Sequence, residues 1–191
     1  MRKAVFLDRD GTINEEVEYL DDLGDLRIIK GAYKGIRLLN HAGFKVVVIT
    51  NQSGVARGFF SEEFVNQVHG RLSYMLGQRG AVVDRWLFCP HHPEVGSPPF
   101  RRVCRCRKPG IGLVEKAASE LDIDVEGSFF IGDSLSDIRT AWNAGMGSIL
   151  VLTGHGKAVF DSLSDEELCQ IDFIAHDLFD ASRWIVQGRK R

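Results

Sequence analysis

Long apolar runs are missing from this chain. None approaches the roughly 18 residues that a membrane span needs. The opening stretch, MRKAVFLDRDGT, places Asp8-Arg9-Asp10 where a secretory leader would continue its apolar core. Charge imbalance is missing as well: 24 Lys and Arg stand against 26 Asp and Glu, a formal net charge of -2. That balance removes the usual electrostatic argument for a nucleic-acid or anionic-membrane partner. Cysteine is scarce, four in 191 residues, and a chain of this length buries enough surface to fold without disulfide staples. Thiols in a reducing compartment serve more often as metal ligands or buried groups than as disulfides. No sequence repeat or low-complexity linker divides the chain. The expectation is a cytoplasmic protein with a single domain over residues 1–191.

What is present is alternation. Short apolar runs read as strands at Lys3–Leu7, Phe44–Thr50, Val82–Phe88, Ser128–Ile131, Gly147–Leu152 and Asp172–Ala175. Their nearly unbroken Val, Ile, Leu and Phe content suits strands covered on both faces. Helical spacing separates them. Ser61 caps a helix with Glu62 and Glu63 in its first turn and Phe64, Val68, Leu72 and Met75 along one stripe, closed by Gly77 and Gly80. Another stripe holds Ile111, Val114, Ala118 and Leu121, and further helices are expected at Ala32–His41, Ser136–Ala144 and Asp177–Val186. The pattern predicts an α/β fold, a doubly wound and mostly parallel sheet flanked by helices. One stretch, Cys89–Gly110, lacks periodicity and is long for a structureless loop. The terminal Arg-Lys-Arg reads as a frayed, solvated tail.

Ligands of open parallel sheets sit beyond the carboxyl ends of the strands. Here the first strand is followed by Asp8-Arg9-Asp10-Gly11-Thr12, the second ends at Thr50 and leads into Asn51-Gln52-Ser53-Gly54, and the fourth leads into Gly132-Asp133-Ser134-Leu135-Ser136-Asp137. Singly, each is ordinary turn chemistry. Together they bring carboxylates, hydroxyls and small residues to one edge. Two unit charges about 4 Å apart repel by roughly 4 kcal/mol at an effective dielectric near 20, so such a cluster calls for a cation or for protons. Hard oxygen ligands favour Mg²⁺. A carboxylate beside such an ion can act as a nucleophile toward phosphorus, with a neighbour moving the proton and Lys108 supplying counter-charge.

These motifs, in this order from residue 8 to residue 137, resemble the four motifs of the haloacid-dehalogenase (HAD) phosphatase superfamily. Within it, Thr50-Asn51-Gln52-Ser53-Gly54-Val55-Ala56-Arg57-Gly58, Cys89-Pro90-His91-His92 and Cys104-Arg105-Cys106-Arg107-Lys108-Pro109 resemble the heptose-bisphosphate phosphatase branch, whose sibling is the histidinol-phosphate phosphatases. The resemblance implies a Mg²⁺-dependent phosphatase that removes the 7-phosphate of a heptose 1,7-bisphosphate through an aspartyl-phosphate, in heptose supply for lipopolysaccharide or surface glycans. It implies Asp8 as nucleophile and Mg²⁺ ligand, Asp10 as general acid/base and carbonyl ligand, and Asp133 as the third ligand. Thr50 and Lys108 would hold the phosphoryl group, with Asn51 beside them, and Arg107 would contribute to substrate recognition. Asp137 is either an acid supporting this site from behind or a first-turn helix aspartate. Ser134 has no assigned role.

Cys89-x-His91 and Cys104-x-Cys106 supply three thiolates and an imidazole, a set that suits tetrahedral Zn²⁺. By spacing alone the imidazole is either His91 or its neighbour His92; the resemblance points to His91. With four protein ligands the zinc is expected to be structural, organising the loop over 89–106. Because Cys106 directly precedes Arg107 and Lys108, zinc is expected to pin the segment that aims both cations. Cys169 is expected to be a buried thiol on an apolar helix face. His41, His69, His155 and His176 are placed at helix ends or in loops.

About twenty residues separate Asp10 from Gly31, too few for a cap domain, so an open pocket shaped by loops at 14–27, 53–60 and 89–108 is expected. Glu15, Glu16, Glu18 and Asp21 either bind sugar hydroxyls or form a solvated acidic loop. Arg57 either grips a second phosphate, with Arg107, or makes a surface salt bridge. The expected partner is a small sugar bisphosphate, with no nucleic acid or membrane, and the protein is expected to be a monomer. Two other classes compete. A phospho-receiver module shares the acceptor aspartate, threonine, lysine and Mg²⁺, but Asp10, two residues beyond Asp8, belongs to turnover. A zinc-dependent nucleic-acid binder would use Arg101, Arg102, Arg105 and Arg107, a local cluster only.

Overall fold

The computed structural model describes residues 1–188; the expected Arg-Lys-Arg tail lies outside them. Six strands, β1 (Arg2–Leu7), β2 (Lys45–Asn51), β3 (Arg85–Cys89), β4 (Ile123–Gly132), β5 (Gly147–Val151) and β6 (Phe173–Ala175), form one sheet in the order β3-β2-β1-β4-β5-β6. Every neighbouring pair is parallel. The helices are α1 (Ala32–His41), α2 (Gly54–Arg57), α3 (Glu62–Gly77), α4 (Gly112–Leu121), α5 (Leu135–Ala144), α6 (Gly156–Ser162), α7 (Asp165–Gln170) and α8 (Leu178–Gln187). The interval between β1 and α1 holds only a 3-10 turn at Leu23–Asp25.

Both faces of the sheet are covered, which explains the continuous apolar strands. Along β1, Val5 and Leu7 face the layer containing α1, α3 and α8, whereas Ala4 and Phe6 face α4 and α5. That alternation is the two-residue period of a strand. In α1, Ala32, Ile36 and Leu39 are buried at helical spacing. Phe6 is fully buried and stacks on Phe130 at 6.3 Å; truncating it to Ala would cost about 3–5 kcal/mol.

Several expectations need correction. β4 begins at Ile123, five residues earlier than its apolar run, because Arg2 and Lys3 pair with Ile123 and Asp124 before the register shifts. The buried face of α3 comprises Val65, Val68, His69, Leu72 and Leu76, leaving Phe64 and Met75 only partly covered. His69 is therefore in the middle of a helix and buried, stacked on Trp86 at 5.0 Å, and not at a helix end. Burial holds its imidazole down at about 3, far below the usual range, with a smaller push from Arg9. Cys169 is exposed, because α7 buries none of its residues fully. Among the described residues, no helix is long and apolar enough to cross a membrane.

The chain runs from β1 outward to β2 and β3, then crosses to β4 on the other side of β1. The strand order thus reverses between β1 and β4, and a crevice opens at their carboxyl ends.

Candidate active site

Asp8 leaves β1 at this crevice, its N–H bonded to Ile131 O at 3.0 Å. Asp133 directly follows the end of β4, and Asp137 lies in the first turn of α5. The three side chains offer oxygens within 4.8 Å of one another. Lys108 Nζ sits between two of them, 2.8 Å from Asp8 Oδ1 and 2.6 Å from Asp137 Oδ1. Asp137 also closes a capping box with Ser134, so the first-turn aspartate pairs with Lys108 and caps its helix at once. Burial pushes the Asp8 carboxyl up to about 7, with Asp137 adding to it and Lys108 opposing. Burial, then Asp8 and Asp137, push Asp133 up to about 8. Burial works against the Lys108 charge, but Asp137 and Asp8 hold its ammonium above the ordinary lysine range.

Three carboxylates against one ammonium leave two uncompensated negative charges when all are ionised. All the donors are hard oxygens. This arrangement fits a divalent cation of the Mg²⁺ type, with Asp8 and Asp133 available because both Asp137 oxygens are engaged, Oδ1 by Lys108 and Oδ2 by Ser134. Asp8 Oδ1 also accepts the Arg9 N–H at 2.7 Å, which leaves its other oxygen open.

Asp10 stands apart from this trio. Arg9, whose side chain is 2% exposed, places Nη2 at 2.9 Å from its carboxylate. Asn14 Nδ2 donates at 2.9 Å and Gln52 Nε2 at 2.8 Å. Burial opposes its charge, yet Arg9, Asn14 and Gln52 hold Asp10 below the usual carboxylate range. Gln52 also donates to Thr50 Oγ1 at 2.8 Å, tying the end of β2 to Asp10. Motif spacing did not single out Arg9, Asn14 or Gln52 for these contacts. The signal available was their position, within or just past the polar segments that follow β1 and β2.

A cavity of about 230 Å³ opens over the site, lined by Asp8, Asp10, Thr50, Lys108, Asp133 and Ser134, among others. Asn51 lines it too, but its carboxamide is engaged with the Lys108 backbone. Of the first-loop acids, Glu16 and Glu18 reach the cavity. Burial, then Asp10 and Asp8, push Glu16 up to about 7. Arg57 and Arg107 do not line this cavity. The Arg57 guanidinium lies 5.9 Å from the Tyr19 ring centroid and makes no ion pair among the described residues. Arg107 Nη1 donates to His91 O at 3.1 Å.

Beside the crevice, Cys89, His91, Cys104 and Cys106 converge. The Sγ–Sγ separations are 3.6, 3.2 and 3.2 Å, and His91 Nδ1 is 3.5 Å from Cys89 Sγ and 3.2 Å from Cys106 Sγ. These spacings are far too long for disulfides, whose S–S bond is about 2.05 Å. They approach the edges, about 3.8 Å, of a tetrahedron with bonds near 2.3 Å. Burial, then Arg102, pushes His91 below its ordinary range, the direction that favours the neutral imidazole a ligand needs. The donor set fits zinc. His92 is turned elsewhere: its Nδ1 accepts from the N–H groups of Glu94 and Val95. The loop packs directly on α2, where a Cβ on Gly96 would come within 1.9 Å of Ala56 O.

Comparison with known proteins places this geometry in a family. A HAD-hydrolase-like family model matches residues 105–181. The D-glycero-D-manno-heptose-1,7-bisphosphate 7-phosphatase of Chlorobaculum tepidum is 37% identical, over 98% of this chain and 96% of its own length. The enzyme of that name from Thermosynechococcus vestitus is 42% identical, over 96% and 95%. The crystal structure of D,D-heptose 1,7-bisphosphate phosphatase from B. bronchiseptica, complexed with magnesium and phosphate, superposes with a TM-score of 0.84 at 33% identity, covering 97% of this chain and 98% of that one. Near-complete coverage at this identity, on a matching sheet, means that the chain belongs to the heptose-1,7-bisphosphate 7-phosphatase family, phosphoric monoester hydrolases of the HAD-like fold.

Proposed function

We propose that this protein is a single-domain, Mg²⁺-dependent phosphatase that removes the 7-phosphate of D-glycero-D-manno-heptose 1,7-bisphosphate through an aspartyl-phosphate. The reading is carried by the meeting of Asp8, Asp133, Asp137 and Lys108 at the switch point of the sheet, with Asp10 held just beside them. Asp8 and Asp133 would hold the Mg²⁺, with the Asp10 carbonyl as a further ligand. The ion would neutralise charge on the phosphoryl oxygens. Zinc on Cys89, His91, Cys104 and Cys106 would be structural.

An oxygen of Asp8 attacks phosphorus, and the ester P–O bond breaks toward the sugar. Lys108 and Thr50 bind the equatorial oxygens as charge spreads over them. The departing oxygen takes a proton from Asp10. Water then attacks the acyl phosphate, Asp10 takes back a proton, and phosphate leaves with Asp8 restored. In the resting arrangement Arg9 favours the ionised Asp10, the form required in the second half. A dianionic phosphoryl group arriving nearby raises its proton affinity, which favours the acid form for the first half. Arg107 would recognise the remainder of the substrate, with Arg57 assisting it. The enzyme works in the cytoplasm, supplying heptose for lipopolysaccharide or surface glycans.

The test is phosphate release from the α and β heptose 1,7-bisphosphates and from histidinol phosphate, each with and without Mg²⁺. The heptose bisphosphates should turn over fastest and only with the ion. A preference for histidinol phosphate would overturn the substrate assignment, and undiminished release after chelation would overturn the metal.

A further inference from the structure

The turn after β5 touches the catalytic centre from a part of the sequence well beyond its motifs. Thr153 Oγ1 donates to the Gly11 carbonyl at 2.6 Å, across 142 residues of chain. The His155 backbone N–H donates to Asp133 Oδ2 at 2.8 Å. Between them, Gly154 has φ 54°, and a Cβ there would lie 2.1 Å from Asp133 Oδ2 and 2.5 Å from Gly11 Cα. Gly11 closes on the same oxygen from the Asp8–Thr12 loop: its Cβ would be 2.0 Å away. Gly156 lets the turn fold back on its own strand, since a Cβ there would meet Val151 O at 1.7 Å. The turn therefore has no slack. One oxygen of Asp133 is enclosed by two glycines and bonded to a backbone donor, while Oδ1 carries no hydrogen bond among the described residues.

We propose that the Thr153–Gly156 turn is a positioning element of the catalytic centre, one that fixes Asp133 so that a single oxygen is presented to the divalent cation. This rests on the metal reading above. The physical reason is rotational. A carboxylate with both oxygens free can swing about its χ2 axis or bind in a bidentate manner, whereas Mg²⁺ demands near-ideal octahedral geometry. Tying Oδ2 to a backbone N–H removes that freedom. The Thr153 hydroxyl at the same time ties the turn to the loop that carries Asp8 and Asp10, so the two sides of the metal site share one frame.

The experiment is calorimetric titration of the metal-free protein with Mg²⁺ alone, so the readout does not depend on turnover. His155 has φ -83°, near the proline range, so His155→Pro is the substitution that deletes this N–H. His155→Ala keeps that N–H and removes the same side chain. Outer partners of metal ligands typically control affinity by about 10–100-fold, so His155→Pro and Gly154→Ala should each bind Mg²⁺ that much more weakly than His155→Ala. Their far-UV circular dichroism should be unchanged, and turnover should recover as Mg²⁺ is raised to saturation. Equal Mg²⁺ affinity for the Pro and Ala variants would overturn the proposal. If the Pro variant does not fold, Thr153→Val against Thr153→Ser decides: weaker Mg²⁺ binding by Val alone supports the turn, and equal binding overturns it. No Mg²⁺ binding by the unmodified protein would instead overturn the metal reading.

Discussion

Asn51 grips the backbone of Lys108 on both sides: its Oδ1 accepts the Lys108 N–H at 3.0 Å, and its Nδ2 donates to the Lys108 carbonyl at 3.2 Å. Asn51 also lies at the end of β2, in register with Cys89 at the end of β3. The carboxamide therefore joins the sheet, the zinc-type cluster and the lysine that faces Asp8. A residue expected to bind phosphate has its carboxamide engaged in holding the lysine proposed to do so.

Asn51→Ala removes both bonds and leaves a buried peptide unpaired, at a penalty of about 1–3 kcal/mol per group. If part of this falls on the placement of Lys108, kcat/KM should drop roughly ten- to a hundredfold. Asn51→Asp keeps the acceptor but sets a carboxylate against the Lys108 carbonyl, and should be impaired as well. Steady-state kinetics on folded variants check this, and wild-type turnover in Asn51→Ala would remove the role.

Metal binding should carry a definite pH dependence. Without a cation, Asp8 and Asp133 are pushed up from the ordinary aspartate value to about 7 and about 8, burial being the main cause. Between pH 4 and these values the folded state binds more protons than the unfolded one. Their contribution to stability is thus fully present below about pH 4 and is lost as pH rises through 7 and 8. A divalent cation replaces those protons. The rise in Tm on adding Mg²⁺ should accordingly be larger at pH 8 than at pH 6. Differential scanning fluorimetry at the two pH values reads this directly, and a shift that shrinks as pH rises would contradict the assigned ligands.

The zinc-type cluster should govern the two cations next to it in the chain. Cys106 directly precedes Arg107 and Lys108, and Arg107 is bonded to the carbonyl of His91 in the same loop. Zinc binding in small finger peptides supplies roughly 10–16 kcal/mol, enough to offset much of the entropy of ordering a loop. Cys106→Ser should lose zinc by elemental analysis, lower the Tm and reduce turnover together. Full zinc content and full activity in that variant would refute the coupling.

Much of this architecture is legible in the sequence because burial on both faces leaves a one-dimensional trace. Runs such as Val46-Val47-Val48-Ile49 mark strands, and acids, amides and hydroxyls at strand ends mark the crevice. The features that are not legible depend on contacts between distant segments. The Thr153 bond to Gly11 spans 142 residues, and nothing local announces it. The only hint is position: Thr153-Gly154-His155-Gly156 lies just past the carboxyl end of β5, as the other motifs lie past theirs. Arg9 looks like a surface residue by type, yet is buried because Asp10 and Gln52 neutralise and bond it. His69 sits on the apolar face of α3 where its ring can stack on Trp86, a fit that helical spacing counts as a polar interruption. Cys169 errs in the opposite direction: an apolar preference cannot bury a residue when the short helix carrying it is not fully packed on any face.

The central claim is that Asp8 becomes covalently phosphorylated. Borohydride quenching during turnover on the heptose bisphosphate, followed by peptide mass mapping, tests it most directly, because an acyl phosphate is reduced to the alcohol. The account predicts homoserine at position 8, formed only when substrate and Mg²⁺ are both present. Steady phosphate release with an unreduced Asp8, or reduction at another carboxylate, would contradict it.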